Sequence, residues 1–248
     1  MSLFYSSRFY DRDFERTSQS AAATVPVLLD CLTQAGAAAP ASVIDIGCGR
    51  GVWLKAFGPI TVKGRDGPWT KPERLLIDPA YFAATDLSRP FTEPAKFDLA
   101  MTLEVAEHID AGQADQFVEN LTGLSDTILF SAAIGGQGGQ HHVNEQPLTY
   151  WTEKFAARGF AVFDVLRPRL WSNPDVCWWY RQNMVVLSSA QSRFRNGLEQ
   201  AAAQNPPILD LAHPAGFTEK ARLANLFSPE EYLGLWFARM GRKLRGSR

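Results

Sequence analysis

The stretch VIDIGCGRG, residues 43–51, constrains the fold of this chain more than any other. A short β-branched apolar run that ends in glycine reads as a buried strand. Gly47, Gly49 and Gly51 let the backbone turn sharply there and bring its amides close to a ligand. GVWLKAF (51–57) then reads as a helix. Strand, glycine loop and helix in that order form the unit that binds nucleotides at the carboxyl edge of a parallel sheet. A dinucleotide fingerprint is spaced GxGxxG, whereas this loop is GxGxG with Val52 at the third position. The acid inside the strand end, Asp45, also departs from that pattern. A tight strand–helix turn without a ligand is the structural alternative.

The rest of the chain repeats the alternation. A helix is expected over 15–35. Strands are expected at 59–66, near the end of 75–87, and at 97–102, 127–133, 160–168 and 183–189. Helices are expected at 113–124 and 149–158. Strands that alternate with helices imply βαβ units and a mainly parallel sheet. The expected fold class is therefore α/β. A main domain is expected over 1–190, followed by a helical extension over 191–248. The 248 residues can bury a core without a disulfide or a structural metal. A net charge of -1 gives no reason to expect nucleic acid as a partner. Cys31, Cys48 and Cys177 form no CxxC pair, and the charged N-terminal stretch lacks the apolar core of a signal peptide. A cytoplasmic protein is expected.

Two further acids follow the glycine loop. Asp66 closes the second strand about 20 residues on, where an acid accepts ribose hydroxyls in nucleoside-binding α/β folds. Asp86, in ATDL after the third strand, is placed to meet an adenine edge, or else caps a local turn. Three acids at successive strand ends line one crevice.

With these residues the chain resembles the class I S-adenosylmethionine-dependent methyltransferases across about residues 40–190. VIDIGCGRG matches their first motif, GRDG their second-strand acid, ATDL their third and FDLAMTLEVAEHI their fourth. The resemblance implies a Rossmann-like seven-stranded sheet of order 3-2-1-4-5-7-6, with strand seven antiparallel. It implies S-adenosylmethionine as the cofactor. Asp45, Gly47, Cys48 and Gly49 would line its methionine end, Asp66 and Gly67 its ribose, and Asp86 with Leu87 its adenine. Within that superfamily, LEVAEHI, FSAAIGGQGGQHHVNEQ and WWYRQN look like a bacterial subgroup that acts on small molecules or surface sugars.

LEVAEH (103–108) begins at the carboxyl end of strand four, beside the expected methyl group. Glu104, Glu107 and His108 are spaced i, i+3 and i+4, which is one face if the stretch is helical. His141 and His142 follow strand five, above the same crevice. Two carboxylates and two imidazoles can hold a divalent ion with open positions, which would lower the pKa of a substrate hydroxyl. The pattern is similar to an ExxEH motif that coordinates metal in small-RNA terminal-ribose methyltransferases and in the catechol methyltransferases of ubiquinone synthesis. That resemblance implies Glu104, Glu107, His108 and His142 as ligands of Mg2+ or a similar ion. Glu107, His108 and His142 are then the catalytic candidates and Glu104 a cofactor-side contact. Metal-free acid/base work and simple ordering of the loop fit the same residues. Glu145 is a candidate substrate contact or an orienting group for a histidine.

Several other features are weighed. GGQGGQ (135–140) suits a lid. WWYRQN (178–183) and Trp171 suit either a ring-binding wall or a buried sheet edge. Phe4, Tyr5, Phe9 and Tyr10 suit a flap or core packing. Tyr232, Leu235, Trp236 and Met240, followed by Arg242, Lys243 and Arg245, form a basic amphipathic pattern. It suits docking on a protein surface better than a membrane. The reading as a whole is methyl transfer to a hydroxyl of a sugar or other small metabolite, with oligomers allowed. Its rivals are a metal-free N- or O-methyltransferase and a non-catalytic cofactor-binding regulator.

Overall fold

The computed structural model describes residues 13–203 and 207–224. The aromatic set at residues 4–10 and the basic pattern at 232–245 lie outside the described residues. Along the chain run α1 (Phe14–Thr33), β1 (Ser42–Ile46), α2 (Val52–Ala56), β2 (Thr61–Asp66), β3 (Phe82–Ala84) and β4 (Leu99–Leu103). Then come α3 (Ala114–Leu124), β5 (Thr127–Ser131), α4 (Leu148–Ala156), β6 (Phe160–Phe163), α5 (Arg167–Leu170), α6 (Trp178–Asn183), β7 (Val185–Ser189), α7 (Arg195–Ala202) and α8 (Pro214–Ala224).

The seven strands form one sheet of order β3-β2-β1-β4-β5-β7-β6. β1, β2, β3, β4 and β5 pair in parallel, and β7 runs antiparallel to both β5 and β6. This is the expected α/β, Rossmann-like architecture. β4, β5 and β7 are buried at every residue, as sheet strands covered on both faces must be. Alternate side chains feed two cores. Val43, Leu99, Met101 and Leu129 join one with α1, α2 and Leu198 of α7; Ile44, Ala100, Ile128 and Phe130 join the other with α3 and α4. No helix among the described residues is long and apolar enough to cross a membrane.

Two expectations change. WWYRQN is a helix rather than a sheet edge, and the last strand starts only at Val185. Tyr180 packs edge-on against Trp53, which draws the aromatic residues inward, and Arg16 stacks over Trp179. The main compact unit spans Met1–Leu211, and the second spans Ala212–Arg248. The main unit therefore extends past residue 190. α7 belongs to it because Gly197 packs directly on α1: a Cβ there would stand 2.9 Å from the Leu32 carbonyl oxygen. The three cysteines are buried free thiols.

Arg167 anchors the last part of this unit. Its guanidinium is 1% exposed and pairs with Asp164 through Nε at 2.8 Å and Nη2 at 2.7 Å. Its remaining N–H groups donate to the carbonyls of Gln182, Ile208 and Leu209. One buried cation thus joins α5, the end of α6 and the 207–211 segment. Arg167→Ala would leave Asp164 uncompensated and the carbonyls unpaired. It is expected to lower unfolding free energy by about 3–5 kcal/mol, read as a lower midpoint in urea denaturation.

Candidate active site

The glycine loop owes its shape to a close approach. Gly47, Gly49 and Gly51 have φ of 83°, 53° and 77°, the left-handed region. A Cβ on Gly47 would lie 2.3 Å from Cγ2 of Val105, so the loop after β1 is pressed against the chain leaving β4. The Gly47 and Cys48 amides donate to the Arg65 carbonyl, which also ties this loop to β2.

Asp66 stands at the hub of that loop. Its carboxylate accepts the Gly49 and Gly67 amides, each at 2.6 Å, and a side-chain bond from Trp69. The Trp69 indole lies against Gly67, where a Cβ would meet the ring at 2.0 Å. Burial pushes the Asp66 pKa up to about 6, although these three donors pull it down. Asp45 is raised well above the carboxylate range by burial and then by Asp66. The Cys48 thiol rises well above its usual value for the same two reasons. Asp86 is exposed. It accepts the Ser88 amide and hydroxyl and the Arg89 side chain, the turn-capping arrangement that the sequence left open, and the Ser88 hydroxyl bond leads in lowering its pKa. Leu87 packs partly buried against the second core.

After β4 the chain does not continue as an α-helix. Glu104 has φ 57°, a left-handed conformation that costs a non-glycine residue about 1–3 kcal/mol. Its amide donates to the Ser131 carbonyl and hydroxyl at the end of β5. A 3-10 turn, Ala106–His108, follows. The shared helical face therefore does not form, and Glu104 stays outside the donor group that Glu107 and His108 join.

The structure does bring Glu107 and His108 together with His142. The Glu107 carbonyl accepts the Val143 and Asn144 amides at 2.9 and 3.0 Å, which docks the segment after β5 on the 3-10 turn. The two imidazoles then meet edge-on, centroids 5.0 Å apart. His108 Nδ1 lies 3.2 Å from the His141 carbonyl, which can only accept, so Nδ1 carries the proton and Nε2 the lone pair. His142 Nδ1 lies 2.7 Å from Glu145 Oε1, which gives the same tautomer; its Nε2 is 3.8 Å from Glu107 Oε1. One donor atom from each of Glu107, His108 and His142 lies within 4.8 Å of the others. Glu107 is fully buried; no side chain among the described residues hydrogen-bonds its carboxylate, which only its own amide and that of Ala133 approach. Burial, and then Glu104, push its pKa well above the usual range. Burial, and then His142, lower His108 to about 4, so it is neutral at physiological pH.

Glu104 is held by amides instead. Oε1 accepts Asn183 Nδ2 at 3.0 Å and Oε2 accepts Gln137 Nε2 at 2.8 Å. Its pKa is raised, with burial prevailing over these bonds. Gln137 comes from the glycine-rich loop. Asn183 and its buried neighbour Gln182 come from the end of α6. No sequence motif singles out these three residues or Trp69. The only signals were the glutamines in GGQGGQ and the RQN that closes WWYRQN, and neither spacing predicts a contact with Glu104.

No protein-family model matches the sequence, and no curated protein matches it. Solved structures do match in fold. The plantazolicin methyltransferase BpumL in complex with SAH aligns at TM-score 0.51 and 15% identity, over 74% of this chain and 88% of its own. A SAM-bound amino pentose methyltransferase from Micromonospora echinaspora aligns at 0.53 and 14%, over 76% and 98%. An O-methyltransferase family protein from Burkholderia thailandensis aligns at 0.51 and 17%, over 75% of this chain and 59% of that one. The fold is that of the class I S-adenosylmethionine-dependent methyltransferases.

Asp66 supplies a direct check of the hub geometry. In carboxyl-labelled protein without ligand its carbon resonance is expected to titrate near pH 6, above the ordinary aspartate value. An ordinary value would mean that the carboxyl is open to solvent.

Proposed function

We propose that this protein transfers a methyl group from S-adenosylmethionine to a hydroxyl of a sugar or related small metabolite, with help from a divalent cation. The carrying observation is the buried Glu107 carboxylate, with no side-chain partner among the described residues, beside two imidazoles whose tautomers each leave Nε2 as the lone-pair nitrogen. A buried carboxyl so poorly compensated is costly. An ion held by Glu107, His108 and His142 relieves that cost, and the Glu145–His142 bond is the outer support that metal-bound histidines normally have. Two imidazoles and one carboxylate suit a transition ion such as Mn2+ or Zn2+ better than Mg2+, which prefers oxygen. When bound, such an ion acidifies a coordinated hydroxyl.

The protein's own residues do the rest. The glycine loop and Asp66 offer backbone amides and a carboxylate to the cofactor, as the first-motif resemblance implies. The His141 and Glu107 carbonyls fix the turn on which the donors stand. Methyl transfer requires a hydroxyl oxygen in line with the sulfonium, so holding that oxygen still is the main protein contribution. A second reading rests on the His142–Glu145 pair: the carboxylate orients the imidazole, and Nε2 takes the hydroxyl proton without metal. His108, at about pKa 4, is too weak a base for that role at neutral pH.

Chelator distinguishes the two readings. Treatment with EDTA is expected to abolish turnover, and Mn2+ or Zn2+ to restore it; full activity in EDTA would assign the proton to His142 and Glu145. Glu145→Gln is expected to cost about 10–100-fold in activity or metal affinity, as loss of an outer partner does. Asp66→Ala should instead weaken cofactor binding about 10–100-fold by calorimetry, since a charge-assisted hydrogen bond contributes about 1.5–3 kcal/mol. His108→Ala should leave cofactor affinity near wild type and lower turnover. Because burial raises the Glu107 pKa, a cation at this carboxylate gives a further signature: its binding should release protons, seen as a buffer-dependent calorimetric enthalpy.

A further inference from the structure

The glycine-rich loop has a defined closed position. The Gly136 and Gly138 amides donate to Glu145 at 2.9 and 2.5 Å, and between them Gln137 reaches inward to Glu104. Gly139 passes over His142 so closely that a Cβ would stand 2.1 Å from Nε2. The neighbours of Gln137 are exposed, while Gln137 itself is half-buried. Side-chain anchors, rather than sheet pairing, hold the loop across the donor cluster.

The position of the Gln137 carboxamide is a built polar site. Its Nε2 donates to Glu104. Its Oε1 accepts Asn183 Nδ2 at 2.9 Å and Gln182 Nε2 at 3.2 Å, with the Ile134 amide at 3.4 Å. Asn183 and Gln182 are 1% and 3% exposed and are fixed from behind by Arg167 on the Gln182 carbonyl. Without Gln137 the site presents one carboxylate acceptor and two carboxamide donors. A hydroxyl, with one O–H and two lone pairs, fits that complement. An ammonium leaves the two donors unanswered, and a carboxylate is repelled by Glu104.

We propose that Gln137 is an internal stand-in for the methyl acceptor: when the loop lifts, a second, unmethylated hydroxyl of the acceptor enters the Glu104–Gln182–Asn183 subsite. The proposal rests on the reading of the acceptor as a polyhydroxylated metabolite. It makes these three side chains specificity determinants and Gln137 the residue that closes the loop over them.

The test removes the stand-in and offers small replacements. Gln137→Gly and wild type are compared by thermal unfolding in EDTA, without cofactor, against propionamide, propane-1,2-diol and propionate. The chelator makes the outcome independent of the cation reading. Propionamide and the diol are expected to raise Tm several-fold more in Gln137→Gly than in wild type, and propionate equally little in both. Gln137→Gly/Asn183→Ala should lose the difference. Equal shifts in both proteins, or a difference that survives in the double variant, would overturn the subsite. A response to propionamide alone would overturn its assignment to a hydroxyl. Gln137→Ala serves as the second variant, and failure of both to fold would make Gln137 a structural residue and end the proposal.

Discussion

The Glu107 carbonyl accepts two amides from the segment after β5, and the site depends on that one junction. Parallel β4 and β5 place their carboxyl ends side by side but do not join the loops that leave them. The junction does so, and only then do His108 and His142 face each other. The same short turn thus holds a main-chain acceptor on one side and a buried side-chain carboxylate on the other. Its main-chain carbonyl is fully used while its carboxylate has no side-chain partner among the described residues, which is the contrast on which the proposed cation site turns.

The first half of the crevice depends on a different kind of constraint. Gly47 leaves room for Val105, and Gly67 leaves room for Trp69. These are vacancies in the sequence rather than attractions. They let Asp66 sit buried with amide donors on both oxygens. The carboxylate is therefore preorganised, but at the expense of its own ionisation.

The sheet was legible because its central strands are short, mostly apolar runs that alternate with helix-like stretches. The order β3-β2-β1-β4-β5-β7-β6 was expected from resemblance alone. The gathering of Glu107, His108 and His142 was legible in part, since the two histidine-bearing loops leave neighbouring strands. The helical face that Glu104 was to share did not form, because an i, i+3, i+4 spacing speaks only for a regular helix and a left-handed residue breaks that register before it begins. The sheet-edge alternative for WWYRQN falls for a related reason: six residues rich in aromatics carry the composition of a strand, and contacts such as Trp53–Tyr180 and Arg167 on the Gln182 carbonyl come from far away in sequence. The amide cage around Glu104 joins three distant segments, and no local pattern marks it.

Arg167 also sets the smallest piece of this chain that can keep its site intact. The guanidinium draws on the carbonyls of Ile208 and Leu209 as well as that of Gln182. A chain trimmed just after the final strand would retain every residue of the glycine loop and of the histidine cluster. It would nonetheless lose two acceptors of the cation that braces α6, and with them the firm backing of Asn183. The working boundary of the domain is therefore drawn by a hydrogen-bond debt deep in the interior, well past the last strand of the sheet.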